Sequence, residues 1–281
     1  MPDAVLSSEA AKVTLNFNLT QSESERQAQA GQRMSLSRLL STGVTSNLSR
    51  TMRLRYLLIM DFEATCDDTG HVVPRHESEI IELPTILYDV DENVVQATFH
   101  EYVRPTRHPT LTPFCTDLTG IEQVGVHPPT IPSFAGHKAD DCFQNTVDGA
   151  DPFPSVWDRY QEFLRKHGIM DEPGAAAYLT CGDWDLKTML PGQLRLSGSQ
   201  VGLNPTTGAL SPPYDRWINV KTSFQQHYGL KYSKGMAGML KHAKMELEGR
   251  HHSGIDDCKN ILRIVQRMRQ DGWKPWYDLP R

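Results

Sequence analysis

Three observations predict an α/β fold built on a mixed sheet flanked by helices. An apolar, strand-forming run, Tyr56-Leu57-Leu58-Ile59-Met60, ends abruptly at Asp61. Two further strand-like segments, 80–90 and 94–103, are joined by the polar turn Asp91-Glu92-Asn93, which marks an early hairpin. Beyond residue 150 helical and strand patterns alternate, the order expected where helices cover a sheet.

The later elements follow in order. Val156, Trp157, Tyr160, Phe163 and Leu164 form a helical stripe. AAAYLTC (175–181) is a second apolar strand, punctuated by Gly182-Asp183-Trp184-Asp185 before Leu186, Met189 and Leu190 take up helical spacing. A short strand is expected over 217–220. The last helix is the best patterned, with Ile255, Cys258, Ile261, Leu262, Val265 and Met268 at intervals of three and four.

Ionisable residues cluster where these elements begin or end. Side chains alternate along a strand, so Asp61 and Glu63 point one way and Phe62 the other. By itself such a pair fits a solvated strand end equally well. Asp185 stands at a strand-to-helix junction, where open α/β sheets place their sites, and Asp183 is expected to cap the helix that follows. Asp257, four before Ile261, shares the buried face of the last helix, with His252 five residues earlier. Four carboxylates and one imidazole on rigid apolar supports are the set that two divalent cations and a water need to cut a phosphodiester.

The order D-x-E, then Trp-Asp after a strand, then H-x-x-x-x-D opening a final helix resembles the DnaQ-like, or DEDDh, 3′-to-5′ exonucleases. MDFEATC, HESEIIELP, FCTDLTGI, GDWDLKTMLP, RWINVK and GRHHSGIDDCKNI are similar, in that order, to the Eri-1-like exoribonucleases, the group that includes the histone-mRNA 3′ exonuclease and the prion-protein-interacting exonuclease. The resemblance runs from about residue 53 to 275. It implies an RNase H-like fold and release of nucleoside 5′-monophosphates from RNA 3′ ends. It also implies two Mg²⁺ ions, replaceable by Mn²⁺, held by Asp61, Glu63, Asp185 and Asp257, with His252 as general base. A second alignment, through His251 and Asp256, keeps the same spacing but leaves the face shared with Ile261. Phe62, Ala64, Thr65, Leu118, Thr119 and Trp184 are the expected substrate contacts. Leu118 and Ile121 fit an ordinary core equally well, and Trp184 reads first as a buried anchor for Asp185. Glu79 and Glu82 read as structural or solvated.

RNA, as single-stranded 3′ ends or duplexes with 3′ overhangs, is the expected partner. DNA remains the nearest rival, because these residues act on phosphate and do not read the 2′-hydroxyl. The formal net charge of −5 excludes a global basic field. Lys221, Lys231, Lys234, Lys241 and Lys244 nonetheless crowd the approach to His252 and are expected to meet phosphates. Arg263, Arg267, Arg269 and Lys274 read as a solvated helix face. Five cysteines without C-x-x-C spacing suggest neither a disulfide framework nor a zinc site.

No run approaches membrane-spanning length and no signal peptide is recognised. The cytoplasm is the expected compartment, with the nucleus second. Residues 34–55 hold Arg and Ser but no acid, which keeps a mitochondrial presequence open for a start at Met34. Residues 1–52 are expected to form a flexible or partner-binding arm before the nuclease domain, 53–281. Insertions near 127–154 and 197–215 are read as long surface loops that could meet a protein partner. An adaptor role in an RNA-silencing complex is the alternative from another functional class.

Overall fold

The computed structural model describes residues 53–123 and 147–279. The predicted arm and most of the first predicted insertion lie outside these residues. The first apolar run forms β1 (Tyr56–Met60), with four of its five side chains buried. Leu57 and Ile59 pack into one apolar layer and Leu58 and Met60 into the other. A strand covered on both faces belongs in the middle of a sheet. Accordingly β1 pairs antiparallel with β3 (Ile80–Asp89) and parallel with β5 (Ala176–Thr180). β4 (Val94–Tyr102) closes one edge on β3 and β6 (Trp217–Asn219) the other on β5, giving the order β4-β3-β1-β5-β6. The expected hairpin turn carries Asn93 at φ 58°.

The short β2 (Glu63–Ala64) continues β1. Met60 faces Thr85 and Glu63 faces Glu82 on β3, so the register is unchanged across the gap at Asp61-Phe62. Pairing of Ile59 with Leu179 puts Phe62 level with Gly182, past the end of β5. There the Phe62 amide donates to Asp185 Oδ1 at 3.0 Å. A carboxylate thus accepts the hydrogen bond that the departing strand no longer offers.

Helices sandwich the sheet. α2 (Phe153–Lys166) covers one face with Val156, Trp157, Tyr160 and Leu164. A π-helical turn, Asp185–Met189, runs into α3 (Leu190–Leu196) on the same side. α4 (Val220–His227), α5 (Met236–His242) and α6 (Gly254–Gln270) cover the other face. α1 (Pro113–Thr119), capped by the Thr112 hydroxyl and ended by Gly120 at φ 73°, packs beyond the sheet with Cys115 and Ile121 buried. α1, α4 and α5 were not expected; each has eight residues or fewer, too short for a periodic signal. Residues 197–215 form a loop as expected, but it is tied down: Tyr214 is buried and donates to Gln161 Oε1, and Trp157 Nε1 donates to Val201 O. Among the described residues no helix is long and apolar enough to cross a membrane.

The start of α6 is locked to the sheet. Glu82, 1% exposed, accepts hydrogen bonds from Gly254 N at 2.9 Å and Ile255 N at 3.0 Å and pairs with His100 Nε2. A buried carboxylate at a helix N-terminus satisfies two orphan amides and meets the positive end of the helix dipole. Gly254 is so close that a Cβ would lie 2.6 Å from Asp61 O and 2.9 Å from Pro84 Cγ. Gly254→Ala should therefore cost about 2 kcal/mol through overpacking and lower the melting temperature by about 4–8 °C. An unchanged melting temperature by calorimetry would refute this account of the contact.

Candidate active site

The sheet delivers Asp61 and Glu63 from β1 and β2, and Asp185 from the turn after β5. α6 brings Asp257 one turn above its contact with Asp61 O, and the loop before it brings His252. All five line one cavity of about 550 Å³. Carboxylate oxygens of Asp61, Glu63 and Asp257 lie within 4.8 Å of one another, as do ligand atoms of His251, His252 and Asp257. Asp257 Oδ2 accepts from His252 N at 3.0 Å, which holds His252 in the left-handed region at φ 65°. The two histidine rings stack with centroids 4.0 Å apart. Asp256 turns the other way, accepting from Arg250 N and pairing with Lys259.

Burial without a cation makes this set costly. Burial first, then Asp61 and Glu82, pushes Glu63 up to about 10. Burial likewise raises Asp257 to about 7, although its bond from the His252 amide opposes the shift. Asp185 rises to about 6, again through burial, with the Phe62 amide and Lys221 holding it down. Asp61 is raised well above the usual carboxylate range by burial, then by Asp185 and Asp257. The His252 imidazole is lowered by burial and by neighbouring His251 and Arg250, which favours its neutral form. A buried polar atom normally has a partner, yet Asp257 Oδ1 has none among the described residues. Hard oxygen donors with an unpartnered oxygen among them fit a hard divalent cation.

Of the expected substrate contacts, Phe62, Ala64, Thr65, Leu118 and Trp184 line the cavity. Thr119 does not; its buried hydroxyl donates to Cys115 O and accepts from Ile121 N. Trp184 is no buried anchor but 45% exposed, and Asp185 is held instead by the Phe62 amide. Asp183 does not cap the following helix, since its carboxylate accepts from Trp217 Nε1 at 3.0 Å. Glu79 and Glu82 are buried and structural: Glu79 accepts from the amides of Thr106, Arg107 and His108. Arg75 and His251 also line the cavity, and neither was singled out as a substrate contact beforehand. Arg75 carried no sequence signal. Lys221 enters the cavity with its Nζ over Gly182, as its place in the lysine group suggested.

Carboxylates gathered at the carboxyl ends of central strands in a mixed sheet are the arrangement expected of the RNase H-like fold, which the solved neighbours share. The exonuclease family RNase_T matches residues 58–132 and 139–265, and the chain belongs to that family. It is 37% identical over 221 residues to ERI1 exoribonuclease 3 of Homo sapiens, covering 79% of this chain and 56% of that protein. The chain thus spans about half the length of this curated relative. A solved structure of 3′-exonuclease recognising the 3′ end of the histone mRNA stem-loop matches with a TM-score of 0.62 and 32% identity, covering 78% of this chain and 84% of that one. The nuclease domain of 3′hExo, a DEDDh family member bound to rAMP, matches at 0.60 and 32%, over 78% and 94%.

Proposed function

We propose that this chain is a divalent-cation-dependent 3′-to-5′ exoribonuclease that uses Mg²⁺, with Mn²⁺ able to substitute, and trims single-stranded or overhanging RNA 3′ ends. The convergence of Asp61, Glu63, Asp185 and Asp257 with the unpartnered Asp257 Oδ1 carries this reading. The exoribonuclease relatives and the rAMP-bound neighbour support ribonucleotide over deoxyribonucleotide substrates.

Two cations bound by the four carboxylates would neutralise them, acidify the attacking water and take up charge on the phosphate. The protein's own groups do the rest. His252, neutral at pH 7, accepts the water proton on its ring nitrogen as the water oxygen attacks phosphorus. The bond from phosphorus to the 3′ oxygen breaks, that oxygen takes a proton, and a nucleoside 5′-monophosphate departs. Lys221 meets a non-bridging phosphate oxygen. Leu118 and the Ala64-Thr65 backbone wall the terminal nucleotide, and the open face of Trp184 is available to its base.

The test is incubation of the full chain with 5′-labelled RNA and DNA, single-stranded or with a 3′ overhang, in Mg²⁺ or EDTA, beside Asp61→Asn. A Mg²⁺-dependent ladder shortening from the RNA 3′ end, absent in the variant, is expected. Faster loss of DNA would move the assignment to deoxyribonuclease.

A further inference from the structure

Some cationic residues are held in ion pairs and others are not. Arg53, Arg55, Arg107, Arg159, Arg165, Arg263 and Arg267 are all held in ion pairs. Lys221, Lys231 and Lys234, like Lys187, Lys241 and Lys244, have no ion pair among the described residues, although the chain carries net charge −5. Lys231 and Lys234 closely precede in sequence the segment 235–238, which lines the cavity together with Lys221. Lys221 lies inside it, and the backbone of Gly235, Met236, Ala237 and Gly238 forms its rim. Lys234 packs on that rim, its Cβ 3.2 Å from where a Cβ on Gly238 would stand. Tyr232 is 70% exposed, the most exposed large apolar or aromatic side chain among the described residues. Lys231 Nζ lies 5.2 Å from the centre of its ring, and the rest of the ring is open to solvent. Gly235 follows Tyr232 by three positions, a span of at most about 11 Å.

An exposed aromatic ring between uncompensated lysines, continuous with a nuclease cavity, has the chemistry of a single-strand track: cations for successive phosphates and a ring for a base. We infer that the RNA strand upstream of the scissile phosphate leaves the cavity over Gly235–Gly238 and runs along Lys234, Tyr232 and Lys231, with Tyr232 stacking on a base a few nucleotides from the 3′ end. The inference rests on the exoribonuclease reading for its direction. It makes the enzyme select substrates with a single-stranded 3′ tail long enough to reach Tyr232, since a paired strand cannot offer an unstacked base.

The experiment compares the full chain with Tyr232→Ala, Tyr232→Phe and the double variant Lys231→Ala/Lys234→Ala, none of which touches the catalytic cavity's carboxylates. Substrates are a uridine dinucleotide and an oligouridylate of about ten nucleotides. On the longer substrate kcat/KM should fall about tenfold in Tyr232→Ala and stay near wild type in Tyr232→Phe. All variants should match wild type on the dinucleotide. The double variant should flatten the dependence of log kcat/KM on log salt by about 1.4, two contacts at about 0.7 each. Anisotropy of a labelled phosphorothioate ten-mer in EDTA should show the same ordering in affinity. Equal behaviour on both lengths, or Phe as poor as Ala, overturns the track. Loss of binding in Tyr232→Ala from a wild-type chain that hydrolyses nothing would keep the track and overturn the exonuclease reading alone.

Discussion

Asp257→Asn will remove hydrolysis while raising the melting temperature of the cation-free protein. Asn can keep the acceptor for the His252 amide and turn its NH₂ toward the Asp61 and Glu63 carboxylates, whose oxygens lie within 4.8 Å of that of Asp257. One buried negative charge is removed and an unpartnered oxygen becomes a donor with partners. Activity falls because the same oxygen is lost as a cation ligand. Taking that loss at about 4 kcal/mol of transition-state stabilisation gives roughly 10³-fold in kcat. Calorimetry in EDTA and a single-turnover RNA assay check the two halves. A variant that melts lower in EDTA, or that hydrolyses RNA normally, would show that these carboxylates are not a strained cation cradle.

The second large effect is a pH-dependent stabilisation by Mg²⁺. Without cation the folded protein holds the carboxyl groups of Asp185, Asp257 and Glu63 at about 6, 7 and 10, above their unfolded values near 4. Between those limits the folded state binds more protons than the unfolded chain, so stability must fall as pH rises. Their contribution is fully present below pH 4 and is lost progressively through pH 7 and beyond. Cation binding opposes that loss, and it needs the deprotonated ligands. At pH 8 and 100 times the Kd, Mg²⁺ should add about 2.7 kcal/mol and raise the melting temperature by about 5–10 °C. At pH 5 the shift should nearly vanish. A Mg²⁺ shift of equal size at both pH values would place the binding elsewhere.

Much of this centre is legible in the chain because its parts are local. A strand alternates its side chains, so Asp61 and Glu63 had to share a face whatever surrounded them. A helix repeats every 3.6 residues, so Asp257, with Ile261, had to face inward and Asp256 outward. β1 and β5 were visible as continuous apolar runs between polar breaks, and β3 and β4 as strand-forming segments on either side of a polar turn. The short helices α1, α4 and α5 were not, since seven or eight residues carry too few repeats to reveal a period. Trp184 was misplaced because burial depends on which distant segments pack against a side chain, and local sequence does not report that.

The sequence by itself pointed to the candidate carboxylates and histidine, the order of the main strands along the chain and the family to which they belong. Only the tertiary structure decided that β2 resumes β1 across an Asp185 hydrogen bond, and that Glu82, which looked like an ordinary strand residue, fastens the start of α6. It also decided that, among the described residues, one oxygen of Asp257 is left without a partner. Periodicity reports which face a side chain occupies. What stands opposite that face is set by contacts between distant segments, and burial and charge compensation exist only once those contacts have formed.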